Sequence, residues 1–245
     1  MDYAGRRIWI IGASAGIGEA LALALAAEGA RLILSARDAA ALDRLARDIG
    51  GAEVLPLDLS VPGAMAQAAA SLGPTAPLDA VIATAALYEP GCVADMDPAS
   101  AEHMVRVNLL GMFEIARLAP PLLRTGGQLV LFGSVAGWVG LPGGQPYSAT
   151  KAAVNNLAES LAAELAPRVD VRLVCPGFVQ TRLTARNRFR MPAIISPEAA
   201  AVHVLRGLKG RRFEIHFPRR FTLAVKLLRL LPYGLALRLT RRLAG

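Results

Sequence analysis

RRIWIIGASAGIGEALALALAAEG, residues 6–29, decides how the rest of the chain is read. A short apolar run rich in β-branched residues ends in a glycine cluster, and a stretch of alanine and leucine follows it directly. That order is strand, tight turn, helix. The glycines fall at 12, 16 and 18. Gly12 allows the sharp turn, Gly16 lets the backbone approach a pyrophosphate, and Gly18 lets helix and strand pack closely. The first helical turn leaves N–H groups without intrahelical acceptors, and these suit an anion. Glycine serves many strand-to-helix turns for geometry alone. The strand–turn–helix context is what favours dinucleotide binding, with Gly12, Ser14, Ala15, Gly16, Ile17 and Gly18 at the cofactor.

Outward from this unit the same alternation continues. Strands are expected at 6–12, 31–36, 52–57, 78–84, 127–133 and 170–175, with helices at 18–29, 39–50, 100–123 and 148–167. The strand runs are apolar without alternation, as in a parallel sheet covered on both faces. Strict βα alternation predicts right-handed crossovers and a doubly wound α/β fold of the Rossmann type. No linker or repeat divides the chain before residue 205. One domain over 1–218 is expected, followed by a C-terminal helical extension over 219–245.

The end of the second strand chooses between nicotinamide cofactors. An acid there would hold a ribose 2′-hydroxyl, whereas an arginine would pair with a 2′-phosphate. In LILSARDAA, Asp38 reads as the N-cap of the helix that follows. Arg37 is left to face the cofactor, which predicts NADP(H) over NAD(H). A solvated loop charge is the competing reading of Arg37.

GASAGIG (12–18), Asn108 in VRVNLLG, Ser134 in LFGSVAG, YSATK (147–151) and CPGFVQT (175–181) occur in one order with characteristic spacings. On these motifs the chain resembles the short-chain dehydrogenase/reductase family, in its compact single-domain branch, over residues 6 to about 205. The resemblance implies a seven-stranded Rossmann fold and a catalytic set of Asn108, Ser134, Tyr147 and Lys151. Tyr147 and Lys151 stand four apart on one helix face. An ammonium beside a phenol favours the phenolate and lowers the tyrosine pKa. Tyr147 is then the proton donor or acceptor for a carbonyl or alcohol. Ser134 steadies the same oxygen, Lys151 also holds the ribose hydroxyls, and Asn108 anchors a water that relays protons. The alternative is a surface tyrosine beside a solvated lysine. The resemblance further places Asp58 and Leu59 at the adenine, Ala85 at the ribose, and Pro176, Gly177, Val179 and Thr181 over the nicotinamide side. One departure stands out. The family's Asn-Asn-Ala-Gly after the fourth strand is here Ala83-Thr84-Ala85-Ala86, so the asparagine bonds that brace the sheet are missing unless Thr84 supplies them.

The substrate lobe is expected at 182–195, with Arg182, Arg186, Arg188 and Arg190, ahead of a helix opened by Ser196-Pro197. Trp138, Val139, Leu141 and Phe178 are the candidate apolar pocket wall. They suggest an apolar or lipid-like carbonyl or alcohol, with an anionic group if the arginines serve it rather than solvent. A non-catalytic dinucleotide-binding scaffold or sensor is the alternative function.

The net charge of +8 is local. Residues 205–245 hold 11 Lys/Arg against the single acid Glu214, while the other 204 residues carry 16 bases and 18 acids. Lys226, Arg229, Arg238 and Pro232 interrupt the leucine-rich tail, which predicts two short basic amphipathic helices rather than a membrane span. A peripheral membrane contact through 219–245 is expected, with packing on the domain or on another subunit as the alternative. The tail is too apolar, and too poor in interleaved aromatics, for nucleic acid. A homodimer through the long fourth and fifth helices of the family pattern is expected. Cys92 and Cys175 make no disulfide framework, and the three histidines have no metal-type spacing. The N-terminus enters the first strand without a signal-peptide pattern, which predicts a cytoplasmic protein, at the inner membrane face if the tail docks there.

Overall fold

The computed structural model describes residues 3–73, 76–187 and 189–241. Its sheet has seven strands: β1 (Arg7–Ile11), β2 (Arg31–Ser35), β3 (Glu53–Val54), β4 (Leu78–Ala83), β5 (Leu123–Phe132), β6 (Val169–Pro176) and β7 (Glu214–Phe217). They lie in the order β3-β2-β1-β4-β5-β6-β7, and every neighbouring pair is parallel. Side chains alternate across each strand, so both faces must be covered. In β1, Ile8 and Ile10 join one core with α1 (Gly16–Ala27), α2 (Ala39–Asp48) and α7 (Pro197–Lys209). Trp9 and Ile11 join the other core with α3 (Ala64–Ser71), α5 (Gly111–Leu118) and α6 (Tyr147–Glu164).

The sequence reading needs three corrections. The helix expected over 100–123 is broken into α4 (Pro98–Val105), a π-helical turn (Arg106–Leu110), α5 and a short 3-10 turn (Pro120–Leu122). Two prolines end it, because neither can donate to the preceding turn. The freed chain enters β5 at Leu123, which pairs with Leu78. The third strand is two residues long, not six. Helix α3 was not expected at all.

The chain order reverses direction between β1 and β4, and the crevice outside the carboxyl ends of the strands at such a switch point is the usual ligand site in this architecture. Gly12, Thr84, Ser134 and Gly177 all follow strand ends on that edge. Beyond β7, α8 (Arg219–Leu230) and α9 (Tyr233–Arg241) flank Pro232, as the tail pattern predicts. Val225 joins the core and Lys226 pairs with Glu214, so α8 is fastened to the domain. Arg242 lies outside the described residues. Among the described residues, no helix is long and apolar enough to cross a membrane.

Candidate active site

The glycine turn is built as its spacing requires. Gly12 and Gly16 hold positive φ, at 102° and 60°. A Cβ on Gly12 would sit 2.5 Å from the Ala85 backbone nitrogen, and one on Gly18 would sit 2.1 Å from the Gly12 carbonyl oxygen. Both must therefore be glycine for strand and helix to meet. A Cβ on Gly16 would come within 3.0 Å of Thr181 Cγ2, so glycine here keeps a hollow between the turn and the segment after β6. Ala15, the N-cap of α1, offers no side-chain acceptor to the first-turn N–H groups. An open helix N-terminus behind a glycine cradle fits the pyrophosphate of a dinucleotide. Ser14 and Ile17 flank it, and Arg182 Nη2 donates to the Ser14 carbonyl at 3.4 Å. The segment from Pro176 is held by the Gly177 N–H on the Phe217 carbonyl (2.7 Å) and by pairing of buried Val179 with Ile195.

Thr84 replaces the missing asparagine. Its hydroxyl contacts the carbonyls of Ile11 (3.1 Å) and Gly12 (3.0 Å), while the N–H of Ala85 also donates to Ile11 at 3.1 Å. The end of β1 is thus braced by a shorter side chain. Asp38 caps α2 by accepting from the Ala41 N–H at 2.9 Å. Arg37 is left exposed beside Asp58. Burial raises the Asp58 pKa, but hydrogen bonds from Ser60 and the charge of Arg37 outweigh it and hold the carboxyl below its ordinary value. Leu59 is buried against Gly111, so its side chain belongs to the core.

Tyr147 opens α6 and Lys151 follows one turn later. Lys151 is 2% exposed, which excludes a solvated surface charge. Its Nζ donates to the Phe132 carbonyl at 2.7 Å and lies 5.7 Å from the Tyr147 ring centroid. Burial pushes the Tyr147 phenol up to about 12, opposed by the Ser134 hydroxyl. Burial also brings Lys151 down to about 8. The expected lowering of the phenol is therefore not what the chain alone gives: burial raises it, and the Lys151 hydrogen bond goes to a backbone carbonyl. Ser134 is buried after β5, and its Oγ accepts from the Ala136 N–H at 3.1 Å. Asn108 is buried in the π-helical turn. Its Oδ1 accepts from the Leu87 N–H (2.7 Å), and its Nδ2 donates to the Leu87 carbonyl (2.8 Å) and Thr150 Oγ1 (3.3 Å). That amide ties the chain after β4 to α6 beside Lys151.

Other residues at the site escaped the sequence reading. Tyr88 packs edge-to-face on Tyr147, with ring centroids 4.9 Å apart, and its hydroxyl donates to Asn187 Oδ1 at 2.7 Å. Arg186 holds the Tyr88 carbonyl at 3.2 Å. The 182–195 segment is thereby tied to the neighbour of Tyr147. Asn155 fills the space left by Gly133 and Gly137, with Nδ2 3.5 Å from the Ser134 carbonyl. The only available signal for Tyr88 was its place after β4, on the ligand-facing edge of the sheet. Trp138, expected in the pocket wall, is buried instead against His216 (centroids 5.9 Å apart), with Lys226 Nζ 4.9 Å from its ring. Phe178 packs on Phe189 of the 182–195 segment at 5.7 Å and on Phe221 of α8 at 5.6 Å. Arg190 lines a surface hollow of about 780 Å³ with Phe189, Met191 and Ile194. Arg188 lies outside the described residues.

The sequence model of the short chain dehydrogenase family matches residues 6–191. The chain belongs to the short-chain dehydrogenase family. Among relatives of this short-chain dehydrogenase, galactitol 2-dehydrogenase (L-tagatose-forming) of Cereibacter sphaeroides is 37% identical over 188 residues, 74% of each chain. A short-chain dehydrogenase from Burkholderia cenocepacia J2315, solved in complex with NADP, superposes with a TM-score of 0.84 at 28% identity, covering 98% of this chain and 99% of its own. A Burkholderia phymatum short-chain dehydrogenase/reductase in complex with NAD shares the fold, with a TM-score of 0.83 at 24% identity over 93% and 94% of the two chains. An oxidoreductase that uses a nicotinamide dinucleotide on a small-molecule substrate follows from membership.

Proposed function

We propose that this short-chain dehydrogenase is NADP(H)-dependent and interconverts a carbonyl with a primary or secondary alcohol (EC 1.1.1.-), with Tyr147 as general acid and base. The observation that carries the reading is the meeting of a part-exposed tyrosine, a buried ammonium and the Ser134 hydroxyl on the same sheet edge as the glycine turn. A bound nicotinamide supplies or receives the hydride. Tyr147 transfers the proton at the substrate oxygen, and Ser134 donates a hydrogen bond to that oxygen as charge develops on it. Lys151, with one acceptor among the described residues, has ammonium protons left for ribose hydroxyls. Its positive charge beside the ring works against the burial that raises the resting phenol, and the charge of an oxidised nicotinamide would add to it. Asn108 and Asn155 hold the loops that carry these groups.

Arg37 supports NADP(H): Asp38 is engaged as a helix cap, so the guanidinium is the group offered to a 2′-phosphate. The Phe178, Phe189 and Phe221 cluster supports an apolar, lipid-like substrate. Leu110 and Phe113, both exposed at α5, support a homodimer through the 98–118 and α6 helices. A location at the cytoplasmic face of a membrane fits the basic tail.

Oxidation of NADPH in the presence of ketones and fatty aldehydes, beside Tyr147→Phe, tests the reading. Turnover with an apolar carbonyl that the variant lacks is the expected result. Tight dinucleotide binding with no turnover of any carbonyl or alcohol would favour the scaffold or sensor alternative.

A further inference from the structure

The tail pair has two faces with different jobs. On the inner face of α8, Val225 is buried, Lys226 pairs with Glu214, and Phe221 packs on Phe178, which in turn packs on Phe189 of the substrate lobe. On the outer face, Leu223, Leu227 and Leu230 recur at i, i+4 and i+7, with Leu227 at 65% and Leu230 at 79% exposure. This spacing makes one stripe along the helix. Arg219 and Arg220 flank it, both exposed. In α9, Leu235, Leu237 and Leu239 are exposed together with Arg238 and Arg241. With 12 and 9 residues, neither helix is long enough to span a bilayer.

We propose that α8 and α9 form a foot that docks in the headgroup layer of an anionic bilayer and holds the 182–195 segment near it. The α8 leucine stripe, with Leu235 and Leu239 on one face of α9 and arginines beside them, suits that layer, where apolar side chains reach the acyl boundary and guanidinium groups meet lipid phosphates. A second copy of the chain is the poorer occupant. A two-fold contact through this face would set its arginines against their own equivalents, with no exposed acid on α8 or α9 to relieve them. Because Phe221 fixes α8 to the substrate lobe, the docked foot delivers an apolar substrate from the lipid side. That last part rests on the oxidoreductase reading above; the docking does not.

Sedimentation of the full chain tests this, using vesicles of phosphatidylcholine alone and of phosphatidylcholine with phosphatidylglycerol in equal parts. Several arginines at the surface predict at least a ~10-fold preference for the anionic vesicles, lost at high salt. Leu223→Glu/Leu227→Glu/Leu230→Glu should lose binding ~10-fold or more while reducing a water-soluble carbonyl as the parent does. Should that variant fail to fold, Arg219→Glu/Arg220→Glu serves, with the same loss expected. Equal sedimentation with both vesicle types, or of parent and folded variant, overturns the proposal. So does a parent that light scattering shows to be an oligomer dissolved by the substitutions, without lipid preference. Lipid binding without turnover of any carbonyl would leave the foot standing and remove the oxidoreductase reading.

Discussion

Replacing Lys151 by methionine should make the ligand-free protein more stable near neutral pH while removing its activity. Lys151 is buried with one hydrogen bond, and burial lowers its pKa from 10.5 to about 8. Below pH 8 the folded chain must hold an ammonium that is better hydrated when unfolded. A shift of this size corresponds to about 3 kcal/mol of destabilisation at about 1.4 kcal/mol per pKa unit. Loss of the bond to the Phe132 carbonyl returns about 1 kcal/mol of that. The net expectation is a gain of about 2 kcal/mol for Lys151→Met at pH ~7. The sign with pH follows from proton counting. Between about 8 and 10.5 the unfolded lysine binds a proton that the folded one does not, so wild-type stability rises relative to the variant through this window. Cys175 and Tyr147, whose pKa values burial raises to about 12, pull stability the other way as pH climbs above their ordinary values, but both are present in both proteins. The difference between the two urea unfolding free energies, followed by tryptophan fluorescence at pH ~7 and ~9.5, isolates the lysine. An advantage for methionine that shrinks with pH is expected. A variant less stable than wild type at pH ~7, or a difference that does not change with pH, would refute the reasoning.

Gly18→Ala would force a Cβ to within 2.1 Å of the Gly12 carbonyl oxygen, so it should lower stability by about 1–3 kcal/mol and weaken dinucleotide binding, read by thermal unfolding with and without NADPH. Thr84→Ala removes a hydroxyl shared between the Ile11 and Gly12 carbonyls, and a loss of about 1 kcal/mol in urea unfolding is expected. If Arg37 pairs with the 2′-phosphate as proposed, Arg37→Ala should raise the Kd for NADPH by roughly 10- to 100-fold and leave that for NADH, which lacks that phosphate, nearly unchanged, measured by calorimetry.

Much of the fold was legible because it rests on local signals. Apolar runs without alternation read as buried parallel strands, and Asp38, Ser196-Pro197 and Pro232 marked helix ends through chemistry that acts within a few residues. Helix α3 was not legible: AMAQAAAS is small and weakly patterned, and its N-cap is Gly63, which offers no side-chain acceptor. The break at Arg106–Leu110 follows no proline or glycine, and Asn108 explains it only once its bonds to Leu87 and Thr150 are seen. Spacing placed Tyr147 and Lys151 on one helix face. It did not give the balance between burial and charge that sets their resting pKa values, because that depends on what the fold stacks around them. Tyr88 and Phe221 reach the site across 59 and 43 residues of sequence, measured to Tyr147 and Phe178, and no periodicity records contacts of that range.

The central claim is that Tyr147, made competent by buried Lys151, moves a proton at a carbonyl oxygen while a dinucleotide delivers hydride to the carbon. The most direct measurement supplies NADPH deuterated at the transferred position with an accepted carbonyl, and weighs the product alcohol from wild type and Tyr147→Phe. The account predicts deuterium on the carbinol carbon from wild type, and a rate lower by about 10²–10⁴-fold from the variant with its NADPH affinity intact. Cofactor oxidised without deuterium in the alcohol, or a variant as fast as wild type, would contradict it.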